Sequence, residues 1–265
     1  MRLLKRINHS EVKLNKIYNE DCLKTMARMP SNFVDLVITS PPYDNLRDYD
    51  GYSFAFEKIA RYLFKVVKEG GIIVWVVGDA TIKGSESTTS FRQALYFKQI
   101  GFNLHDTMIY AKNNPIPQNH NRYEQQFEYM FIFSKGKVKT FNPLKIESIN
   151  GGKELEWGNR KSVDKKAGRR GRAQSCVVTT KLTKNMFNIW YFSIGGGHSG
   201  HPAVFPYKLA EQHLLSWSNK NDIVYDPFMG SGTTAKACIK NKRNYIGSEI
   251  SKEYCKIADR SIEEC

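Results

Sequence analysis

Apolar residues recur along the chain with two different periods, which separate predicted strands from predicted helices. Short runs rich in β-branched and aromatic residues predict strands at 14–18, 33–38, 72–77, 104–111, 128–134, 222–225 and 245–248. Apolar residues at helical spacing predict helices from residue 22 to Met29, from Phe54 to a stop at Gly70-Gly71, from 89 to 100, and after Pro206. The alternation of strands and helices predicts an α/β fold with a doubly wound, mostly parallel sheet.

The predicted strand at 33–38 runs directly into the segment Thr39-Ser40-Pro41-Pro42-Tyr43, called the lip below. The two prolines lack an N–H and hold a fixed φ, so they end the strand in a rigid segment. We expect the lip at the carboxyl end of a strand, where open α/β sheets bind ligands. There the Ser40 hydroxyl and the Pro41 carbonyl can accept the two hydrogens of an amine, and the Tyr43 ring can stack on a base taken out of a duplex. Taken alone, the same short motif is also typical of a structural turn.

A second motif, called the glycine loop below, follows the predicted strand at 222–225 and reads Asp226-Pro227-Phe228-Met229-Gly230-Ser231-Gly232-Thr233-Thr234. Its glycines let the backbone come close to a ligand, and the start of the following helix offers N–H groups and a positive dipole end to a carboxylate or phosphate. Glu249 lies 21 residues after Phe228, where nucleoside-binding α/β folds hold ribose hydroxyls. Because the loop is not GxGxxG, we expect a nucleoside cofactor with an amino-acid tail rather than a dinucleotide.

The charge of the chain is strongly positive and concentrated in its middle. The 265 residues (30.5 kDa) include 40 Lys+Arg and 26 Asp+Glu, giving a net charge of +14 and a pI near 9.5, which indicates nucleic acid before an anionic membrane. Residues 135–175 carry +8 of this charge and show no convincing period. We expect them to contact the phosphates of a nucleic acid, although charge runs are also typical of solvated surfaces. The residues predicted to make these contacts are Arg160, Lys161, Lys165, Lys166, Arg169, Arg170 and Arg172.

Cysteine usage and hydropathy bear on metals and on the compartment. The five cysteines are Cys22, Cys176, Cys238, Cys255 and Cys265, with no CxxC pair and no metal-ligand spacing. Reduced thiols and no metal site are therefore expected. The first 16 residues have no apolar core, and the longest apolar run, 72–77, is too short to span a bilayer. We expect a cytoplasmic protein without a membrane partner.

Three motifs in a fixed order give the chain a family resemblance over nearly its whole length. They are the lip, the segment His201-Pro202-Ala203-Val204-Phe205-Pro206 ahead of a predicted helix, and the glycine loop. On these motifs the chain resembles the S-adenosylmethionine-dependent DNA amino-methyltransferases in circularly permuted (beta-type) motif order. The resemblance implies a class I methyltransferase fold with a catalytic half at 1–134, a basic target-recognition insertion at 135–185 and a cofactor-binding half at 186–265.

The resemblance also implies S-adenosylmethionine as the cofactor and assigns residues to it. Glu249 would hold the ribose, Asp21 would lie by the adenine amine, and the glycine loop would hold the methionine portion. Ala203 and Phe205 would lie on the amino-acid tail. Many family members have a lysine where Phe205 stands, so the resemblance does not imply a charge contact to the cofactor carboxylate from that side. The implied cofactor-binding residues are Asp21, Cys22, Thr39, Ala203, Phe205, Asp226, Phe228, Gly230, Ser231, Gly232, Thr233 and Glu249.

The implied chemistry follows from the amine that would be methylated. Its lone pair is delocalised into the base ring and weakly nucleophilic, so acceptors for its two hydrogens can turn that lone pair toward the methyl group. Ring-carbon cytosine methyltransferases instead need a cysteine nucleophile after a proline, and none of the five cysteines follows a proline. No covalent enzyme intermediate is expected. The implied catalytic residues are Ser40, Pro41, Pro42 and Tyr43.

The choice of base depends on the first residue of the catalytic motif. In the family, serine there usually accompanies N4-cytosine methylation, and aspartate or asparagine accompanies N6-adenine methylation. Ser40 therefore favours cytosine, with adenine as the alternative, because both bases pair an exocyclic amine with a neighbouring ring acceptor. The expected partner is double-stranded DNA, and a homodimer and a cognate restriction endonuclease are further partners consistent with the resemblance.

Other function classes fit the sequence less well. A protein-glutamine methyltransferase also uses a Pro-Pro-Tyr segment, but in that family the glycine loop precedes it, and the basic insertion would have no purpose. An RNA methyltransferase shares the same charge argument. A non-catalytic DNA-binding protein would be expected to have lost Ser40, Tyr43 or Gly230, and all three are present.

Overall fold

The computed structural model describes residues 11–42, 54–115, 117, 121–157, 176–193, 205–263 and 265. The chain forms two compact units. The first is Met1–Asn142 together with Asn188–Cys265, and the second is Pro143–Phe187. Residues 135–142, which the sequence prediction gave to the basic insertion, belong to the first unit. The functional division into two methyltransferase halves and an insertion stays a prediction.

The described residues form fourteen strands and six helices. The strands are β1 (Lys16–Asn19), β2 (Val34–Thr39), β3 (Val67–Val77), β4 (Thr81–Ile82), β5 (Ser85–Glu86), β6 (Asn103–Lys112), β7 (Phe127–Ser134), β8 (Lys145–Glu147), β9 (Glu154–Trp157), β10 (Cys176–Thr179), β11 (Thr183–Asn185), β12 (Ile189–Phe192), β13 (Ile223–Asp226) and β14 (Asn244–Glu249). The helices are α1 (Cys22–Arg28), α2 (Phe56–Val66), α3 (Thr89–Gln99), α4 (Tyr207–Trp217), α5 (Thr233–Lys240) and α6 (Lys252–Glu263). In the described part of the chain, none of these helices is both long enough and apolar enough to cross a membrane.

An eight-stranded sheet organises the first unit, with the strand order β1-β14-β13-β2-β3-β7-β6-β12. β7 runs antiparallel to its neighbours β3 and β6, and the other seven strands run parallel to one another. The predicted α/β fold with a mostly parallel sheet is therefore confirmed. The direction of β7 could not be predicted, because a buried strand has the same apolar pattern whichever way it pairs.

The parallel strands all end at the same edge of the sheet, called the carboxyl edge below. At this edge Asp226 of β13 is level with Gly247 of β14, and Asn19 of β1 is level with Glu249. Thr39 ends β2, which pairs directly with β13. The residues that end the predicted strands, and the motifs that follow them, therefore come together although they are far apart in the sequence.

The boundary between α2 and β3 differs from the prediction. The helix ends at Val66, and Gly70 and Gly71 lie inside β3 rather than at a helix end. The β2–β3 register is irregular at this point, and a Cβ on Gly71 would lie 2.9 Å from the Asp35 carbonyl oxygen. Gly71 is therefore required where the backbones of β2 and β3 come close together at a bulge.

Helices cover both faces of the sheet, as a doubly wound fold requires. Alternate residues of β3 point to opposite faces, so Ile73, Trp75 and Val77 pack in one buried cluster with residues of α1, α2 and α3. Their neighbours in β3 are also fully buried, on the other face. The predicted amphipathic helix after Pro206 is α4, which buries Leu209 and Leu214.

The described residues of the second unit form four short strands in two antiparallel pairs. β8 pairs with β11, and β9 pairs with β10. Strands of three or four residues are too short to show a period in the sequence, which is why this part of the chain was predicted without secondary structure. The seven basic residues predicted to bind DNA, Arg160 to Arg172, lie outside the described residues.

Candidate active site

Asp226, at the end of β13, joins the lip strand, the glycine loop and helix α5. Its Oδ1 accepts hydrogen bonds from the Thr39 hydroxyl (2.7 Å) and the Phe228 N–H (3.0 Å), and its Oδ2 accepts one from the Thr234 hydroxyl (2.7 Å). The side chain is 5% exposed. A carboxylate offers about four acceptor sites, and three are used here, so Asp226 serves mainly to hold these elements together.

Burial raises the pKa of Asp226 to about 6, against hydrogen bonds from Thr234, Thr39 and the Phe228 amide that lower it. A buried carboxylate without donors would be neutral at pH 7, and the three donors keep this one close to the balance between its two forms. The carboxyl group is therefore sensitive to any loss of a donor.

The glycine loop turns sharply between β13 and α5. Gly232 is the N-cap of α5 with a φ of 86°, and a Cβ there would lie 3.0 Å from Ala258 Cα. Both the left-handed backbone and the close approach of α6 require glycine at this position. The cap makes no side-chain hydrogen bond to the first turn of α5, so the amides of Thr233 and its neighbours keep the positive dipole end of the helix available.

Glu249 ends β14 next to the glycine loop. Its Oε2 accepts a hydrogen bond from the Gly230 N–H (2.9 Å), and its Oε1 accepts one from the Ser251 N–H (2.8 Å). Burial raises the pKa of this carboxyl group, against backbone hydrogen bonds from Ser251, Gly230 and Ile250 that lower it. Each carboxylate oxygen can accept a second hydrogen bond, so the fixed side chain fits a vicinal diol such as a ribose.

Aromatic rings line the edge beside the glycine loop. The Phe228 ring meets Phe54 edge-on at 5.7 Å between centroids and Trp75 at 6.4 Å. Trp75 is held in turn by its Nε1–H, which donates to Gln93 Oε1 at 2.8 Å. Phe228 thus forms part of a fixed apolar wall suited to the flat or apolar parts of a nucleoside.

Asp21 and Cys22 lie at the start of α1, after β1. Asp21 is the N-cap, and its Oδ1 accepts a hydrogen bond from the Leu23 N–H at 2.7 Å. Cys22 is 5% exposed, and burial raises its pKa to about 12, with a further contribution from Asp21. The thiol therefore stays protonated and is not a nucleophile.

The lip continues β2 beyond its last residue. Thr39 is fully buried and is level with Trp75 of β3, Pro41 is buried, and Ser40 and Pro42 are half-buried. Through its hydroxyl bond to Asp226, Thr39 ties the start of the lip to the glycine loop. Tyr43 lies outside the described residues.

The other predicted cofactor residues are distributed as follows. Ser231 and Thr233 are half-buried in the glycine loop and in the first turn of α5. Phe205 is half-buried just ahead of α4, and its contact with the cofactor tail stays a prediction. Ala203 lies outside the described residues. Among the residues that the structure describes, no group of three or more His, Cys, Asp or Glu side chains could hold a metal ion.

Two residues that build this edge were not in the predicted set. Thr234 is 2% exposed and donates to Asp226, as described above. The Asn19 side-chain amide donates to the carbonyl oxygens of Glu249 (3.0 Å) and Ile250 (2.9 Å), which fixes the chain after β14. Thr234 directly follows the predicted Thr233, and its bond spans only eight residues. The Asn19 bonds join residues 230 and 231 positions apart, which only the pairing of β1 with β14 brings together.

The comparisons with known proteins agree with this geometry. A family model described as DNA methylase matches residues 34–260. Orphan methyltransferase M.BamHII of Bacillus amyloliquefaciens is 55% identical over 242 residues, which cover 87% of this chain and 89% of that protein. DNA adenine methyltransferase YhdJ of Escherichia coli is 26% identical over 256 residues, which cover 93% of this chain and 82% of that protein.

Two solved structures share the fold. The crystal structure of an M1.HpyAVI–SAM complex matches with a TM-score of 0.64 and 25% identity, covering 93% of this chain and 98% of that one. The PvuII DNA methyltransferase (cytosine-N4-specific) matches with a TM-score of 0.69 and 20% identity, covering 96% and 88%. The class I methyltransferase fold and the S-adenosylmethionine dependence expected from the sequence are confirmed. The chain belongs to the DNA methylase family and is an S-adenosylmethionine-dependent, site-specific DNA methyltransferase of the N4/N6 class.

Proposed function

We propose that this protein transfers the methyl group of S-adenosylmethionine to the N4 amine of a cytosine displaced from duplex DNA. The observation that carries the proposal is the bond between Thr39 and Asp226, which joins the lip to the glycine loop at 2.7 Å. β2 and β13 are paired neighbours, so acceptors for an amine and a loop suited to the cofactor lie side by side at the carboxyl edge.

The cofactor would lie along the ends of β13, β14 and β1. Glu249 would accept the two ribose hydroxyls with its remaining acceptor sites. The amides at the start of α5 and the glycine loop would bind the methionine carboxylate, while Asp21 lies by the adenine amine and Phe228 packs on the apolar part. When bound, S-adenosylmethionine supplies a methyl group on a positively charged sulfur, which is a good leaving group.

The lip would act on the amine of the base. The Ser40 hydroxyl and the Pro41 carbonyl accept its two hydrogens, so the lone pair points away from the ring plane and toward the donor. When the cofactor is bound, the N–C bond would form as the C–S bond breaks, the neutral thioether S-adenosylhomocysteine would leave, and the proton lost by the amine would pass to water. Pro42 holds the lip rigid and the Tyr43 ring stacks on the base, so positioning supplies most of the rate.

The choice of cytosine rests on Ser40, since serine at this place usually accompanies N4-cytosine methylation among proteins that the chain resembles. Adenine N6 is the second candidate, and the relative described as a DNA adenine methyltransferase favours it. The two reactions need the same acceptors, so a change of base would leave the proposed roles of Ser40 and Pro41 unaltered.

The DNA would be held by the basic segment at Arg160, Lys161, Lys165, Lys166, Arg169, Arg170 and Arg172 through its phosphates. A second copy of the chain and a cognate restriction endonuclease are also proposed partners. The mass of the protein in solution tests for a second copy. Cleavage of unmethylated DNA tests for the endonuclease.

The direct test is to incubate the purified protein with labelled S-adenosylmethionine and unmethylated genomic DNA, digest the DNA to nucleosides and identify the product by mass spectrometry. N4-methylcytosine is expected. A Ser40→Ala preparation, purified in the same way, controls for contaminating methyltransferases. N6-methyladenine would contradict the choice of base and keep the mechanism, and the absence of any methylated nucleoside would contradict the proposed function.

A further inference from the structure

A small hairpin, formed by β4 and β5, rises from the carboxyl edge directly after β3. Thr81 pairs with Glu86 and Ile82 with Ser85, and the two-residue turn between them has φ angles of 49° at Lys83 and 79° at Gly84. Turns of this kind match the twist of short antiparallel strands and hold them in one register. The tip of the hairpin therefore has a defined shape.

The base of the hairpin is fixed by the Asp79 carboxylate. Asp79 accepts hydrogen bonds from the Ser90 N–H (2.9 Å), the Ser87 hydroxyl (3.1 Å) and the Ser90 hydroxyl. The Ser87 N–H also donates to the Ala80 carbonyl at 2.8 Å. Asp79, two residues after β3, thus joins the residue that follows the hairpin to the first turn of α3, which fixes the base of the hairpin.

Two arginines hold the hairpin from the side. Arg122 donates to the Gly84 carbonyl and lies 3.9 Å from the Glu86 carboxylate, and Arg92 donates to the Ser87 carbonyl. Lys83 at the tip and Arg122 beside it are cations, and the Glu86 carboxylate offsets one of them, so a net positive charge remains at the tip. This charge suits a polyanion better than a second copy of a chain whose net charge is +14.

The tip itself is open. Ile82 is 54% exposed, and among the described residues nothing lies within 4 Å of a Cβ placed on Gly84. What distinguishes Ile82 from other exposed apolar residues such as Leu95 is its place in a turn of defined shape at the carboxyl edge. Isoleucine is one of the side chains that proteins insert between base steps of DNA.

The hairpin and the lip follow the carboxyl ends of two neighbouring strands, β3 and β2. Thr39 is level with Trp75, so Ser40 continues alongside the end of β3, and the hairpin begins only four residues after Val77. A duplex whose displaced base reached the lip would therefore run past the hairpin. Displacing a base leaves a gap in the stack that costs a few kcal/mol unless something fills it.

We propose that this hairpin is a DNA-binding element in which Ile82 fills the space left by the displaced base and Lys83 contacts a neighbouring phosphate. The inference rests on the proposed function, since it needs a DNA duplex with a displaced base at the lip. It adds to the basic segment a second DNA contact, in which Ile82 serves displacement of the base and Lys83 adds to the affinity for DNA.

The test compares two duplexes that carry the sequence methylated by the wild-type protein, one with the target base paired and one with it opposite an abasic site. Ile82→Ala should lower kcat/KM about tenfold on the paired duplex and less than about twofold on the other, where little pairing must be broken. Lys83→Ala should weaken binding to both duplexes and reduce the salt slope of binding by about one. Ile82→Leu should retain activity, because an apolar side chain of similar volume remains.

The matched controls are Leu95→Ala and Lys98→Ala on α3, which change an exposed aliphatic side chain (66% exposed) and an exposed cation. Lys98 lies near the end of α3 that leads to the start of β6, at the opposite edge of the sheet. Neither control should change activity. Equal losses on both duplexes for Ile82→Ala would overturn the proposal, as would a change in the solution mass of that variant, which would assign the tip to contact with a second copy.

Failure of this inference is distinguishable from failure of the proposed function. If the wild-type chain methylates DNA and Ile82→Ala does so equally well on the paired duplex, only the hairpin proposal is overturned. If the wild-type chain transfers no methyl group to DNA, the proposed function falls and the hairpin proposal falls with it.

Discussion

The two sides of the carboxyl edge are built in different ways. On the cofactor side, at the ends of β13 and β14, two buried carboxylates hold the backbone through hydrogen bonds from the loops around them. On the base side, at the end of β2, strand pairing with β3 and two prolines hold the lip. Hydrogen bonds from backbone amides to carboxylates fix the cofactor side, and the proline rings, which restrict the backbone φ angle, fix the base side. We therefore expect the two sides to fail separately when their residues are changed.

One side chain belongs to both sides. Asp226 accepts hydrogen bonds from Thr39 on the base side and from Phe228 and Thr234 on the cofactor side. Asp226 therefore links the two sides. A change at this residue should damage both cofactor binding and methyl transfer.

The largest effect is expected for Asp226→Ala. Three donors would lose their partner inside the protein, so the free energy of unfolding should fall by about 3 kcal/mol, and both cofactor binding and methyl transfer should be lost. Denaturant unfolding and calorimetry with S-adenosylmethionine measure the two effects. The control is Asp222→Ala at the other end of β13, where the carboxylate accepts the Asn219 N–H at 2.7 Å, and its expected cost is below about 1 kcal/mol. Cofactor binding that survives in Asp226→Ala would contradict the structural role.

The next largest effect is expected for Tyr43→Ala, which should damage the base side and leave the cofactor side intact. Tyr43→Ala removes the ring proposed to stack on the base, so methyl transfer should fall about 100-fold, within the range that base stacking is worth. Cofactor affinity should stay unchanged, because the ring belongs to the base side. Single-turnover transfer and calorimetry on the same preparation give both values. A loss of cofactor affinity would mean that the lip is part of the cofactor site.

Glu249→Ala should have the opposite effect to Tyr43→Ala, lowering cofactor affinity more than methyl transfer. It removes the acceptors proposed for the ribose and frees the Gly230 amide, so affinity for S-adenosylmethionine should fall about 30-fold, as expected for two hydrogen bonds with a net worth of about 1 kcal/mol each. Methyl transfer at saturating cofactor should fall much less. The exposed Glu253→Ala on α6 is the matched control. Unchanged affinity in Glu249→Ala would remove the ribose role.

The sequence predicted the ends of the strands better than the contacts between them. The ends at Thr39, Asp226 and Glu249 could be located because a proline, a glycine loop or a turn interrupts each apolar run. The antiparallel direction of β7 and the bulge at Gly71 could not, because both depend on pairing between distant segments. The same holds for the bonds of Asp226, whose carboxylate was predicted to contact the cofactor and is largely used within the protein.

The β4–β5 hairpin marks the limit of such prediction most clearly. The sequence from 78 to 88 indicates only a turn, since strands of two residues have no detectable period. Its rigidity comes from Asp79 and Arg122, one adjacent to the hairpin and one far along the chain. A short element that is held by tertiary contacts shows no hydrophobic period in its own sequence, so it cannot be predicted from that sequence.

The smallest effect tests the charge state of Asp226. Its pKa is raised from 3.8 to about 6 in the folded protein, so between these values the folded protein binds more protons than the unfolded chain. Stability from this group is therefore present at low pH and is lost as the pH rises toward 6, by at most about 1.4 kcal/mol per pH unit. Asp226→Asn cannot ionise, so its unfolding free energy minus that of the wild type should increase from pH 4 to pH 6. A difference that stays constant over this range would contradict the raised pKa. It would mean that the hydrogen bonds from Thr39, Phe228 and Thr234 fully offset the cost of burying the charged carboxylate, so that Asp226 keeps the pKa of the unfolded chain.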